Sequence, residues 1–167
     1  MKRILVLGSS GVGKSSFARK LHKKLNIRLI NLDEHYWKPN WEKPTTEDWE
    51  EKIQELIQEE SWIMDGNYRN TLYLRFPVAD TIILLDLPWW ICMYRVIKRQ
   101  LSKNRIDEIP GCKEIIRWNL LRWVIWKYPR IDRKDILQKL EALKSKKRVI
   151  ILQSRREIEE FLSNPLE

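Results

Sequence analysis

Residues 8–15 carry the residue types and the spacing of a loop that binds phosphate. The segment reads Gly8-Ser9-Ser10-Gly11-Val12-Gly13-Lys14-Ser15, with Ser16 directly after it. The glycines allow successive backbone N–H groups to point at phosphate oxygens, and a helix that begins at Lys14 adds the positive end of its dipole. Lys14 would contact the β- and γ-phosphates, and the Ser15 hydroxyl would bind Mg²⁺. Residues 8–16 therefore predict a nucleoside triphosphate site with ATP and Mg²⁺ as ligands.

A site of this kind also needs an acidic side chain near the metal, at the end of a neighbouring strand. Two aspartates qualify, because Asp65 and Asp86 each end a short apolar run. Gly66 and Arg69 follow Asp65, whereas Asp86 is followed almost at once by Pro88. The neighbours of Asp65 favour it as the metal-binding residue, but the residues alone leave both aspartates open.

The substrate that receives a phosphoryl group is expected near Asp33. Asp33 follows the predicted strand Ile27–Leu32, and parallel sheets bind ligands at the carboxyl ends of their strands. Its carboxylate could accept a hydrogen bond from a substrate hydroxyl or act as a general base. Trp37 and Trp41 lie in the predicted loop 34–44, where they could stack on a base or sugar or cover the pocket. Asp33, Trp37 and Trp41 are therefore candidate substrate-binding residues.

Arginines beyond residue 94 could neutralise the transferring phosphates, as the arginines of a closing lid do in phosphoryl transfer. Arg95 and Arg99 are four residues apart, so they share one face of a helix and are the best candidates for catalytic arginines. Arg105 and Arg117 are further candidates within a helical lid segment at about residues 99–130.

The positive charge of the chain is concentrated in this region. The formal net charge is +9, but residues 1–94 are neutral, residues 95–148 carry +11 and residues 149–167 carry −2. One interpretation directs this charge at the phosphates of ATP. The alternative is sequence-independent binding of nucleic acid, for which Lys144–Arg148 would be suitable, although the sequence contains no helix-turn-helix, zinc-finger or RNA-binding motif. A third interpretation makes the segment Lys139–Lys147 a solvated helix face.

Short apolar runs that alternate with helical periodicity predict an α/β fold. The predicted strands are 4–7, 27–32, 61–64, 81–85 and 149–152, and the predicted helices start near residues 14, 45, 89, 113, 133 and 157. Thr45 or Thr46 would cap the helix that buries Trp49 and Ile53. Right-handed crossovers then give a five-stranded parallel sheet with helices on both faces. The chain is predicted to be a single domain, residues 1–167, with an acceptor-side segment at about residues 33–60.

Several protein classes are excluded by composition. The chain has 167 residues, 43% of them hydrophobic and 33% charged, which is typical of a globular protein. Two cysteines are too few for a disulfide framework and fit a reducing compartment. The apolar run at the start ends at Gly8, too early for a secretion signal, and no run is long enough to span a membrane. We therefore expect a cytoplasmic protein that is not bound to membranes.

Residues 65–69, Asp-Gly-Asn-Tyr-Arg, resemble the Asp-Gly-Phe-Pro-Arg segment of the adenylate kinases. The resemblance implies that Asp65 organises Mg²⁺ and that Arg69, next to Gly66, binds the phosphate of the acceptor. Residues 95–99 are similar to the start of the adenylate kinase lid, whose two arginines contact the transferring phosphates. Asn67-Tyr68 replaces Phe-Pro, so AMP as the acceptor is not carried over.

The chain also resembles the DNA topology modulation proteins, a branch of the adenylate-kinase-like proteins. The similarity lies in the phosphate loop, in the Trp37-x-Pro39-x-Trp41 run and in residues 62–68, and it extends from residue 4 to about residue 128. It implies a kinase that transfers the γ-phosphoryl group of ATP to a nucleotide, a nucleoside or another small hydroxyl- or phosphate-bearing molecule. The alternative is an ATP-binding regulator that acts on DNA. Neither the acceptor nor the oligomeric state follows from the residues.

Overall fold

Five parallel strands form the centre of the computed structural model, which describes residues 1–101 and 121–166. The strands are β1 (Arg3–Gly8), β2 (Leu29–Asn31), β3 (Trp62–Asp65), β4 (Thr81–Leu85) and β5 (Arg148–Leu152). They pair in the order β2-β3-β1-β4-β5, and every neighbouring pair is parallel. The predicted five-stranded α/β fold is therefore confirmed.

Helices connect the strands and cover both faces of the sheet. They are α1 (Lys14–Leu25), α2 (Leu32–Tyr36), α3 (Thr46–Ile57), α4 (Leu72–Val78), α5 (Trp89–Leu101), α6 (Arg133–Leu143) and α7 (Arg155–Ser163). Single 3₁₀ turns lie at Pro39–Trp41 and Arg69–Thr71, and a π-helix at Trp123–Asp132 leads into α6. Within the described ranges, no helix combines the length and the hydrophobicity that crossing a lipid bilayer requires.

The continuous apolar run of β1 is explained by burial on both sides. Leu5 and Leu7 pack into the cluster that contains residues of α3, α4 and α6. Ile4 and Val6 point to the opposite face and pack with residues of α1, α5 and α7. Because side chains alternate along a strand, a central parallel strand covered on both faces needs apolar residues at every position.

Local capping explains where two elements begin. The Thr45 hydroxyl accepts a hydrogen bond from the Asp48 N–H at 3.1 Å, so Thr45 is the cap of α3 and Thr46 is its first residue. The Asn31 side chain accepts from the Asp33 N–H at 3.2 Å and caps α2. The predicted strand 27–32 is therefore shorter at both ends. The predicted loop 34–44 is wrong at its start, because the Asn31 cap turns the chain directly into α2.

The region after β3 also differs from the prediction. Helix α4 was not expected, since it has only seven residues and contains Pro77. Its last carbonyls are satisfied from a distance, because the Lys147 ammonium donates to the carbonyls of Pro77 and Ala79 at 2.7 and 2.5 Å.

The predicted lid lies mostly outside the described residues. Arg105 and Arg117 lie outside the described residues, as does most of the helix predicted from residue 113, so these expectations stay predictions. The end of that helix continues instead as the π-helix, with Pro129 inside it, and the helix predicted after it is α6.

Candidate active site

The phosphate-binding loop joins β1 to α1 and has the backbone that only glycine adopts freely. Gly8, Gly11 and Gly13 have φ angles of 147°, 80° and 103°. A Cβ atom on Gly8 would lie 2.5 Å from the Leu85 carbonyl oxygen, and one on Gly11 would lie 2.3 Å from the Cys92 carbonyl oxygen. The glycine pattern therefore has a local cause, because the loop passes directly against β4 and α5.

The two polar side chains at the start of α1 point to opposite partners. The Lys14 ammonium donates to the Ser9 carbonyl at 3.1 Å and so lies against the loop. The Ser15 hydroxyl lies near the carboxylate of Asp65 at the end of β3 and lowers the pKa of that acid. The loop and the acid predicted to serve the metal are therefore adjacent.

Asp65 is a buried acid with unused hydrogen-bonding capacity. Its residue is 4% exposed, and its Oδ1 atom has no hydrogen-bond partner in the part of the chain that the structure describes. Burial raises the pKa of Asp65, although the nearby Lys14 ammonium and the Ser15 hydroxyl lower it. A free carboxylate oxygen beside a hydroxyl is a donor set that suits Mg²⁺, which takes one or two protein oxygens and completes its shell with phosphates and water.

Asp86, the second candidate, is already paired. The Arg133 guanidinium donates to both carboxylate oxygens at 2.7 Å, and the Gln153 side-chain amide donates to Oδ2 at 3.4 Å. This fork-to-fork geometry is the strong form of an ion pair. It attaches the start of α6 to the end of β4 and uses the carboxylate lone pairs that a metal would need.

Asn67 is a site residue whose role the sequence did not indicate. Its side-chain oxygen accepts from the Gly8 N–H at 3.0 Å, and its side-chain nitrogen donates to the Gly8 carbonyl at 2.7 Å. The amide therefore holds both polar groups of the first loop residue. The only signal in the sequence was the position of Asn67 two residues after an aspartate that ends a strand.

Arg95, which the sequence predicts to contact phosphates, lies against the phosphate loop. Its guanidinium donates to the Val12 carbonyl at 2.8 Å. Arg99 follows one turn later on α5, and its buried Nε atom has no hydrogen-bond partner among the described residues. Both arginines start from the helix that packs against Gly11.

On the acceptor side, Asp33 is held by a tyrosine. The Tyr68 hydroxyl donates to the exposed Asp33 carboxylate at 2.6 Å and accepts from the indole N–H of Trp37. Burial and the charge of Asp33 both raise the pKa of the Tyr68 phenol, so it stays a donor. Tyr68 thus links two residues that the sequence proposed as substrate-binding.

A cluster of aromatic rings surrounds this link. The ring of Tyr36 lies 4.5 Å from that of Tyr68, and the rings of Trp37 and Trp41 are 5.3 Å apart in an edge-to-face arrangement. Trp49 of α3 is buried beneath Tyr36, at 4.9 Å. The predicted tryptophans are therefore anchored to the core and form one aromatic wall beside Asp33.

Arg69, expected to bind an acceptor phosphate, is engaged by two acids. Its guanidinium donates to the buried carboxylate of Asp132 and, at 2.7 Å, to Asp135. The Trp123 indole also donates to Asp132, at 2.7 Å. An anionic acceptor would have to compete with both carboxylates for Arg69, whereas Gly66 of the same turn is buried against Leu32.

Several cations of the basic region are likewise used within the protein. Lys144 pairs with Glu141 at 2.6 Å, Lys139 pairs with Asp135 at 3.0 Å, and Lys147 binds the end of α4. These contacts reduce the charge that α6 and the residues after it offer to a nucleic acid.

Comparison with known proteins gives a match in sequence and several in structure. No protein-family model matches the chain. An uncharacterized protein of Bacillus subtilis (strain 168), YqaC, is 29% identical over 115 residues, which cover 66% of this chain and 63% of YqaC. The match thus spans less than two thirds of that relative. The resemblance to the DNA topology modulation proteins stays a prediction.

Several of the structural matches are to small-molecule kinases. Shikimate kinase from Aquifex aeolicus has a TM-score of 0.53 and 16% identity, with 98% of this chain and 93% of that chain covered. A sugar kinase from Janibacter sp. HTCC2649 has a TM-score of 0.56 and 18% identity over 99% and 92% of the two chains. A gluconokinase from Sinorhizobium meliloti 1021 gives 0.52 and 19% over 98% and 93%. The chain has the fold of P-loop kinases.

Proposed function

We propose that the protein is an ATP-dependent phosphotransferase that acts on a small molecule. The observation that carries this proposal is the free Oδ1 atom of Asp65, buried beside Ser15 at the base of the phosphate loop. A buried carboxylate oxygen without a hydrogen-bond partner lowers the stability of a protein. A cation that binds this oxygen offsets the loss. A loop for phosphate and an acid for its metal are the parts that phosphoryl transfer requires.

The nucleotide would be held by residues 8–16, with Lys14 on the phosphates and with Ser15 and Asp65 as the protein ligands of Mg²⁺. The bound metal would neutralise phosphate charge as the γ-phosphoryl group leaves. Arg95 already lies on the loop and would supply the first guanidinium, and Arg99 would supply the second. The proposal has one domain with two further parts. These are a lid at about residues 99–130 and an acceptor-side segment at about residues 33–60.

We further propose that the acceptor offers a hydroxyl group to Asp33. The carboxylate is exposed, is fixed by the Tyr68 hydroxyl and lies beside the aromatic wall. Such a site suits a polar molecule with an apolar or planar face, which can stack on Trp37 or Trp41. The pairing of Arg69 with Asp132 and Asp135 favours a hydroxyl acceptor over a monophosphate.

The names of the matched structures support a small-molecule acceptor, since they are a shikimate kinase, a sugar kinase and a gluconokinase. They give no support to the alternative of a regulator of DNA topology. The ion pairs of α6 point the same way, because Arg133 and Lys139 already have acidic partners within the protein.

A phosphotransfer screen with labelled ATP and Mg²⁺ tests the proposal. The screen would include polyols, sugars, small hydroxy acids, nucleosides and nucleoside monophosphates. We expect label on a hydroxyl compound, and we expect Lys14→Ala to lower the rate at least about 100-fold by removing a cation from the transferring phosphates. Lys20→Ala, an exposed lysine of the same helix, is the matched control. Wild-type turnover in Lys14→Ala would refute the role of the loop.

A further inference from the structure

Arg75 of α4 is a fully buried arginine that binds only carbonyl groups among the described residues. It is 0% exposed. Its guanidinium donates to the carbonyls of Gly66, Asn67 and Tyr68 at 3.0, 2.6 and 2.8 Å, and its Nε atom donates to the Thr71 carbonyl at 3.4 Å. Three consecutive carbonyls of one turn therefore converge on one side chain.

Such a residue is an expensive way to fill space. Burial lowers the pKa of Arg75 to about 9, because a site without water solvates a positive charge poorly. An apolar side chain would pack at α4 without this cost. We therefore infer that Arg75 holds the carbonyls of residues 66–68 in an arrangement that the backbone alone would not keep.

The backbone of the turn is strained in the same place. Gly66 has a φ of 141°, and a Cβ atom there would lie 2.9 Å from the Cβ of Leu32. Tyr68 has a φ of 30°, which is unfavourable for a residue with a side chain. Conformations of this kind persist only where surrounding contacts impose them, and the guanidinium of Arg75 is such a contact.

What this turn presents is Asn67. With the carbonyls of residues 66–68 held inward by Arg75, the Asn67 side chain reaches β1 and forms its two hydrogen bonds with Gly8. Gly8 is the first residue of the phosphate loop and has little room to move, because it lies against Leu85. A contiguous set of hydrogen bonds therefore connects Arg75 to the loop without Arg75 touching it.

We propose that Arg75 is a positioning residue for nucleotide binding: it fixes the turn 66–68 so that Asn67 holds the phosphate loop in its binding conformation. This inference rests on the proposed function, since it assumes that residues 8–16 bind a nucleotide. The same turn carries Tyr68, which holds Asp33, so one buried arginine supports both sides of the site.

A thermodynamic cycle on nucleotide affinity tests the inference. MgADP binding would be measured by titration calorimetry for the wild type, Asn67→Ala, Arg75→Gln and the double variant. Loss of two hydrogen bonds to Gly8 is expected to weaken binding about tenfold in Asn67→Ala. Arg75→Gln is expected to weaken it about fivefold alone, but less than about twofold when Asn67 is already alanine, because coupled residues are not additive.

The cycle separates positioning from a purely structural role. If Arg75 only stabilises the fold, Arg75→Gln lowers the melting temperature but leaves the affinity of the folded protein unchanged, or changes it equally in both backgrounds. Either result would overturn the inference. The exposed neighbour Asn70, substituted as Asn70→Ala, is the control for effects of altering this turn.

Two further measurements keep the test decisive. If Arg75→Gln does not fold, Arg75→Lys replaces it in the cycle, since lysine keeps the charge but cannot bind all the carbonyls from a rigid fork. Lys14→Ala is titrated in parallel. If the wild-type protein binds no MgADP, the proposed function is refuted. If Asn67→Ala binds MgADP as tightly as the wild type does, only the present inference is refuted.

Discussion

The carboxyl ends of β3 and β4 show how two similar acids acquire different roles. Both strands flank β1, both end an apolar run at an aspartate, and both aspartates are buried, at 4% and 8% exposure. Asp86 receives two hydrogen bonds from Arg133. Asp65 lies near the Ser15 hydroxyl, and its Oδ1 atom has no hydrogen-bond partner among the described residues.

The two aspartates are similarly buried and differ in how far hydrogen bonds compensate the buried charge. A buried carboxylate that is paired on both oxygens is part of the scaffold, and here it joins α6 to the sheet. A buried carboxylate with an unpaired oxygen lowers stability, and we propose that a cation bound with the nucleotide completes Asp65. In our proposal, the carboxyl end of β3 therefore serves the reaction, whereas the carboxyl end of β4 serves the structure.

The largest expected effect is on catalysis at the β3 end. Asp65→Asn keeps the size of the side chain but removes the charge that would hold Mg²⁺, so we expect Mg²⁺-dependent phosphoryl transfer to fall at least about 100-fold. The free energy of unfolding without metal or nucleotide should not fall, because a poorly solvated charge has been removed. Transfer assays and denaturant unfolding check the two expectations.

The contrast would break if Asp65→Asn retained its Mg²⁺ dependence, because Asp65 would then be a structural acid. Equal inactivation of Asp86→Asn, with no change in stability, would break it from the other side and assign the metal to Asp86.

The next effect is on stability at the β4 end. Asp86→Asn leaves the partly buried guanidinium of Arg133 without its carboxylate, so we expect a loss of about 2 kcal/mol in the free energy of unfolding. Urea unfolding measures it. Arg133→Gln should cost a similar amount, and the double variant should cost less than the sum of the two because the partners are coupled. MgADP affinity is the control and should change less than about threefold in Asp86→Asn.

Much of the scaffold could be predicted because it depends on local sequence patterns. The phosphate loop is a contiguous motif, and the strands of the sheet are short apolar runs whose burial on both faces makes them easy to recognise. Two short helices were missed for the opposite reason. Helix α2 depends on the Asn31 cap, and α4 is stabilised from Lys147, which lies about 70 residues away in the sequence.

The choice between the two aspartates could not be predicted, because it depends on partners distant in the sequence. Nothing near Asp86 indicates that Arg133 will reach it, and nothing near Arg69 indicates Asp132 and Asp135. The same holds for Arg75, because nothing near it in the sequence indicates that its guanidinium will bind the carbonyls of residues 66–68. Motifs thus gave the position of the proposed nucleotide site, whereas the hydrogen-bond partners of each charged group could be seen only in the folded structure.

A third aspartate gives the smallest effect and extends the comparison to the opposite end of β4. Asp80 accepts hydrogen bonds from the backbone N–H groups of Lys2 and Arg3 at 2.6 and 2.8 Å, and from the Thr81 hydroxyl at 2.6 Å. Burial raises the pKa of Asp80, but the three hydrogen bonds outweigh it, so the native pKa lies below the ordinary value of 3.8. Asp80 is thus compensated by neutral donors. It is intermediate between Asp86, which is paired with a guanidinium, and Asp65, which has an oxygen without a partner among the described residues.

Because the native state binds this proton less tightly than the unfolded state, Asp80 stabilises the fold above pH 3.8, and that contribution is lost as the pH falls through the native pKa. Asp80→Asn should therefore be less stable than the wild type at neutral pH, by less than about 1 kcal/mol because the residue is exposed to solvent. The difference should shrink as the pH falls below 3.8, as unfolding curves at stepped pH would measure. A difference that stays constant with pH would show that the hydrogen bonds to Lys2 and Arg3 do not depend on the charge of Asp80. Compensation of charge would then not be the property that separates Asp65, Asp80 and Asp86.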